Sequence, residues 1–213
     1  MGTVDRRDFI LSLAAAAAGG HAAAAQGARG ATILVLGDSM SAEYGLARGT
    51  GWVALLTQRL AQQKIAAEVV NASISGDTTA GGRARLPALL AQHHPGIVVI
   101  ELGGNDALRG LPLQSTEDNL TAMAQAARQA GARVLLVGMQ VPPNYGADYT
   151  RRFAALFQTV AQAQKAALVP FLLQGVADGP EPTRLFQADR IHPTAQAQPT
   201  MLDNVWPALK KLL

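Results

Sequence analysis

Hydrophobic positions fall into two alternating patterns along this chain. Five short runs are apolar at nearly every position: TILVL (Thr32–Leu36), AAEVV (Ala66–Val70), IVVIEL (Ile97–Leu102), VLLVGM (Val134–Met139) and ALVPFL (Ala167–Leu172). Strands of a parallel sheet covered on both faces are continuous in this way, whereas half-exposed strands alternate. Between the runs the apolar residues recur at helical spacing. Trp52, Leu55, Leu56 and Leu60 share one helix face, and Phe153, Leu156, Phe157 and Val160 share another. A third helix is expected between Thr116 and Gln129, with Ser115 and Thr116 as cap candidates. A last helical segment starts near Thr194 and is expected to be interrupted by Pro199 and Pro207.

Repeated strand–helix units imply a parallel α/β sheet with helices on both faces. Ligands of such sheets bind outside the carboxyl ends of the strands. That rule directs attention to five segments: Gly37–Gly45, Asn71–Gly82, Gly103–Pro112, Gln140–Tyr149 and Asp189–Pro193. No internal repeat, long linker or second domain is evident, so residues 26–213 read as one domain.

The first 25 residues differ from the rest. TVDRRDFILSLAAAAAGGHAAAA carries Arg6-Arg7, a short weakly apolar stretch and a run of small residues. This pattern reads as a cleaved export signal of the twin-arginine kind, placing the mature protein in the periplasm or outside the cell. The apolar stretch is shorter than the ~20 residues a bilayer-spanning helix needs, so no stable membrane span is expected. Removing residues 1–25 takes away two arginines and two aspartates and leaves the net charge of +3 unchanged.

The charge is mild and the arginines are scattered, which excludes a nucleic-acid-binding stripe. Absence of cysteine excludes disulfides, thiolate catalysis and cysteine-ligated metal. No pair of histidines has the ligand spacing seen in metalloproteases. Gly76 and Gly81-Gly82 resemble a phosphate-binding loop only superficially, because the lysine and Ser/Thr of that motif are missing. His93-His94 stand before Pro95-Gly96 and read as a helix end.

Chemistry concentrates at the strand ends. Ser39 follows the first run in LGDSMS and precedes an expected helical segment, where it is either a nucleophile or a cap. Its neighbour Asp38 is read as a loop hydrogen-bonding residue. Gly76 in NASISGDT is a turn glycine or a place for close ligand approach. Asn105 in ELGGND is a turn residue or an amide donor. Asp189 and His192 in DRIHP are three apart, so a carboxylate can orient an imidazole within one turn. Together these residues supply a nucleophile, a base with its orienter and neutral donors, the parts required for acyl transfer through a tetrahedral intermediate.

GDS, the loop glycine, GGND and DRIHP resemble the four sequence blocks of the SGNH (GDSL) hydrolases. GDSMSAEYG, VVNASISGDT, ARLPALL, ELGGNDALRG and PPNYGADY resemble the exported multifunctional thioesterase/protease/lysophospholipase (arylesterase) branch of that family. Glu43 stands where that branch often has glycine. The resemblance implies a flavodoxin-like three-layer α/β/α sandwich, with five parallel strands in the order 2-1-3-4-5. It implies Ser39 as nucleophile, His192 as general base and then acid, and Asp189 as its orienter. An oxyanion hole would be formed by the Ser39 and Gly76 N–H groups and the Asn105 amide. The loops ALRGLPL and MQVPPNYG would offer apolar substrate contacts, with Leu108, Leu111 and Tyr145 as the binding candidates. The expected activity is hydrolysis of small-molecule carboxylic esters, lysophospholipids and acyl thioesters by a monomer, with no metal or other cofactor needed. A carbohydrate acetylesterase of the same fold is the alternative, disfavoured by the scarcity of aromatics for sugar stacking. A non-catalytic flavodoxin-like binding module is the reading from another class.

Overall fold

The computed structural model describes residues 31–213, so the expected leader lies outside the described residues. Five strands form one parallel sheet: β1 (Ala31–Gly37), β2 (Ala67–Asn71), β3 (Ile97–Glu101), β4 (Arg133–Val137) and β5 (Ala167–Val169). Their spatial order is β2-β1-β3-β4-β5, as the resemblance implied. Ile33–Leu36 and Ile97–Ile100 are almost wholly excluded from solvent. This accounts for their unbroken apolar pattern, since both faces are covered.

The strands connect through α1 (Trp52–Gln62), α2 (Thr79–His93), α3 (Gly104–Leu108), α4 (Leu113–Gln129) and α5 (Ala147–Gln164); α6 (Gln198–Lys210) follows β5. α1 packs with α6, while α4 packs between α2 and α5. These two groups are the outer layers of the sandwich. Trp52, Leu56 and Leu60 bury one side of α1, and Phe153, Leu156, Phe157 and Val160 bury one side of α5. Each such large side chain contributes roughly 1.5–3 kcal/mol by leaving water. Phe153 and Phe157 meet edge to face with centroids 5.5 Å apart.

Several boundaries differ from the sequence reading for identifiable reasons. β5 stops at Val169, not Leu172, because Pro170 has no N–H to give a ladder. The α4 cap is not Ser115 or Thr116. The helix begins at Leu113 behind Pro112, whose carbonyl accepts from the N–H groups of both residues. Pro112 has φ −59°, a value its ring imposes. Pro199 does not interrupt α6 but opens its first turn, where a missing N–H costs nothing. Pro207 lies inside α6 without ending it.

The chain leaves β1 toward β2 on one side and returns to β3 on the other. The carboxyl ends of β1 and β3 therefore diverge into separate loops, creating a crevice at the reversal point. Ser39 and Asn105 occupy those two loops.

Candidate active site

No helix follows Ser39 directly. Residues 39–45 form consecutive turns, and α1 starts only at Trp52. The expected helix dipole behind Ser39 is therefore absent, and so is its capping role. Asp38 organises the turn instead. Its carbonyl accepts from the Ser41 and Ala42 N–H groups, and its Oδ1 accepts from Met40 N–H at 3.0 Å. This leaves the Ser39 hydroxyl available to a partner from elsewhere.

That partner comes from 153 positions away. His192 Nε2 lies 2.8 Å from Ser39 Oγ, and His192 Nδ1 lies 2.6 Å from Asp189 Oδ2. Asp189 Oδ1 accepts from the N–H groups of Ile191 and His192 at 2.9 and 3.0 Å. Arg190 adopts φ +59° within this tight turn. The imidazole hydrogen bond first, and then the backbone donors, lower the Asp189 carboxyl to about 2. A carboxylate so held fixes one imidazole orientation and stabilises the protonated ring. A two-stranded bridge between Phe186 and Pro193 supports the segment.

Two residues missed in the sequence link this segment to the Ser39 turn. The Tyr44 ring lies over His192 with centroids 4.3 Å apart. Gln187 Nε2 donates to the Tyr44 carbonyl at 2.9 Å and the Pro193 carbonyl at 3.1 Å. An exposed tyrosine just past a candidate nucleophile was the available signal for the first; local spacing held none for the glutamine.

Gly76 and Asn105, the expected oxyanion donors, lie on the segments that follow β2 and β3. Gly76 adopts φ +79°, a conformation that disfavours any side chain. Its carbonyl accepts from Arg109 Nη2 at 2.7 Å. Asn105, on the short helix α3, directs Nδ2 to Asp38 Oδ2 and to the Asp77 carbonyl, both at 2.9 Å. Both of its amide hydrogens are thus engaged within the protein. Asp77 is itself held by Arg85 at 2.8 Å.

Behind Ser39 the site is buried. Asp38 is 3% exposed, and burial raises its carboxyl to about 6 against the Met40 and Asn105 hydrogen bonds. Glu101, at the end of β3, is fully buried, and burial pushes it well above the ordinary range.

The apolar candidates divide. Leu108 is 51% exposed on the Asn105 loop, and Leu111 is half-buried beyond it. Tyr145 instead stacks on Tyr149 at 6.1 Å, and Tyr149 on Phe153 at 6.2 Å, forming an aromatic ladder down α5. Val141 joins the core. The Glu43 carboxylate accepts from the Gly49 and Gly51 N–H groups, with its own φ at +59°. It thereby holds the loop leading into α1. Among the described residues no cluster of three acidic or histidine side chains offers a metal site, and no helix is long and apolar enough to cross a membrane.

The profile of the GDSL-like Lipase/Acylhydrolase family matches residues 35–198. Esterase TesA of Pseudomonas aeruginosa is 56% identical over 188 residues, covering 88% of this chain and 92% of that protein. Thioesterase 1/protease 1/lysophospholipase L1 of Escherichia coli is 45% identical over 172 residues, covering 81% of this chain and 80% of that one. The crystal structure of TesA superposes with a TM-score of 0.82 at 56% identity, covering 85% of this chain and 99% of the other.

Proposed function

Because the chain belongs to the GDSL-like lipase/acylhydrolase family and is an esterase, we propose that it cleaves carboxylic esters through an acyl-enzyme on Ser39. The observation that carries the reading is the continuous chain from Ser39 Oγ through His192 to Asp189, with links of 2.8 and 2.6 Å. Ser39 Oγ attacks the acyl carbon while its proton passes to His192 Nε2. Asp189 stabilises the imidazolium through Nδ1. The developing oxyanion is held by the Ser39 and Gly76 N–H groups and by one Asn105 amide hydrogen, released from its present acceptor. His192 then protonates the leaving oxygen or sulfur. A water activated by the same imidazole attacks the acyl-enzyme and frees Ser39.

The names of its relatives extend the substrate range to thioesters and lysophospholipids. Leu108 and Leu111, which follow Asn105 in the chain, suit an acyl chain, with Tyr145 as a further contact. The whole constellation comes from one chain, so a monomer suffices for the reaction. It is exported, on the strength of the Arg6-Arg7 leader pattern. The test is a fluorophosphonate probe on the purified protein. Covalent labelling at Ser39, lost in Ser39→Ala, is expected; labelling elsewhere, or none, refutes the assignment. The carbohydrate acetylesterase reading is tested alongside, by comparing acetylated sugars with octanoyl esters.

A further inference from the structure

The catalytic scheme above leaves Glu101 without a task. It is a carboxyl group inside an otherwise apolar strand, directly opposite Gly37 in the β1–β3 register. One of its two oxygens, Oε2, accepts two hydrogen bonds, from Ser41 Oγ–H at 2.7 Å and from Asp38 N–H at 3.4 Å. The residue between those two attachment points that carries the chemistry is Ser39. We propose that Glu101 is a positioning residue for Ser39, an acceptor that brackets the nucleophile turn from both sides. The inference rests on the reading of Ser39 as nucleophile.

Three further contacts show a built arrangement. Trp52 Nε1–H donates to Ser41 Oγ at 3.2 Å. With that lone pair occupied, the Ser41 hydroxyl hydrogen is directed to Glu101. Asn71 Nδ2 donates to the Ser41 carbonyl at 2.8 Å, fixing the same residue through its backbone. Gly37 leaves the room needed: a Cβ there would lie 2.8 Å from Ser41 Oγ and 2.9 Å from Glu101 Oε2. The Glu101–Ser41 bond therefore fills the space that a side chain at position 37 would take.

Burial, reinforced by the neighbouring Asp38 carboxyl, raises the Glu101 carboxyl well above the ordinary range. What the Ser39 turn requires of it is an acceptor, not a charge. A glutamine presents the same acceptor through its amide oxygen. A leucine of similar size leaves the Ser41 hydroxyl and Asp38 N–H unpaired in a buried site. The turn then relaxes, and small displacements of a nucleophile are costly to rate.

The experiment compares wild type, Glu101→Gln, Ser41→Ala and Glu101→Leu with a soluble p-nitrophenyl ester. Rates are expressed per active site titrated with a fluorophosphonate, and labelling is mapped to Ser39. Glu101→Gln should keep kcat within about 3-fold of wild type. Glu101→Leu should lose roughly 10–100-fold in kcat with little change in KM. Ser41→Ala keeps the Asp38 attachment and should fall between them. A purely structural role would lower Tm and the titrated fraction while leaving kcat per site intact. The proposal is overturned if Glu101→Gln is as slow as Glu101→Leu, or if Glu101→Leu turns over like wild type. If Glu101→Leu does not fold, Ser41→Ala decides: an unchanged kcat per site overturns the bracket. Wild type that is not labelled at Ser39 overturns the nucleophile assignment itself, an outcome distinct from labelled Ser39 with an insensitive Glu101.

Discussion

Two aspartates flank the same serine, and their surroundings drive them in opposite directions. Asp38 adjoins Ser39 in sequence, is buried, and has its carboxyl raised from 3.8 to about 6 by that burial. Asp189 comes from the far end of the fold, has a side chain 37% exposed, and is lowered from 3.8 to about 2 by His192 and two backbone donors. Proximity to the nucleophile would favour Asp38 as the partner of the base. Hydrogen-bond geometry favours Asp189, which reaches His192 Nδ1, whereas Asp38 bonds Met40 and Asn105. A carboxylate suited to stabilising an imidazolium is one that stays ionised, and exposure with ready donors keeps it so. Asp38 belongs with Glu101 in the rigid base of the site, and Asp189 with the segment that delivers the proton acceptor.

The largest effect is expected where the two regions meet. Ser39→Ala should abolish all but a trace of ester turnover, measured with p-nitrophenyl butyrate. Its thermal stability should hold within ~1 kcal/mol, because the hydroxyl caps no helix here. Next, Asp189→Asn should reduce kcat by roughly 10³–10⁴ by favouring the wrong imidazole tautomer. Asp38→Asn should cost no more than about 10-fold. Equal losses from the two asparagine variants would erase the distinction between the aspartates. Asn105→Ala should lower kcat by roughly 10²–10³ with a smaller change in KM, as for an oxyanion donor. A rise in KM alone would make it a substrate-binding residue.

A smaller effect concerns chain length. Octanoate should be hydrolysed better than acetate, at ~0.8 kcal/mol per buried methylene. Leu111→Ser should depress the octanoate rate more than the acetate rate. Equal losses, or a wild type that prefers acetate, would favour the acetylesterase alternative. The smallest effect is thermodynamic and opposite in sign for the two aspartates. A carboxyl raised by folding contributes stability that is complete below about pH 4 and fades as pH rises through about 6. Relative to Asp38→Asn, wild type should therefore lose Tm between pH 4 and pH 7. The lowered Asp189 contributes above its ordinary value of 3.8, and that contribution is lost as pH falls toward 2. Solvent exposure keeps it small. Melting curves of both variants across pH 2–8 would check the pair.

The sheet was legible because strands covered on both faces must be apolar throughout, as Ile33–Leu36 and Ile97–Ile100 are. The residues around the serine were legible as types at strand ends, where a parallel sheet gathers its loops. Local geometry was not. Five-residue α3 is too short for periodicity to register, and Ser39 before an apparent helix concealed a series of turns. Capping at α4 went to Pro112 because ring-imposed backbone angles replaced a side-chain cap. Glu101 did leave a mark: it is the one acid inside the apolar run IVVIEL. Its bond to Ser41 spans 60 positions, a distance no local pattern encodes.

The Ser39–His192 contact joins residues 153 positions apart, and that separation has a consequence for timing. During synthesis the serine turn, its glycine loop and its asparagine helix are all made long before the histidine. Until the late segment docks, through Gln187 on the Tyr44 carbonyl, the emerging polypeptide holds a serine without its base. On the mechanism proposed above, ester cleavage would then be an indicator that folding has finished, and a partly made chain would stay inactive.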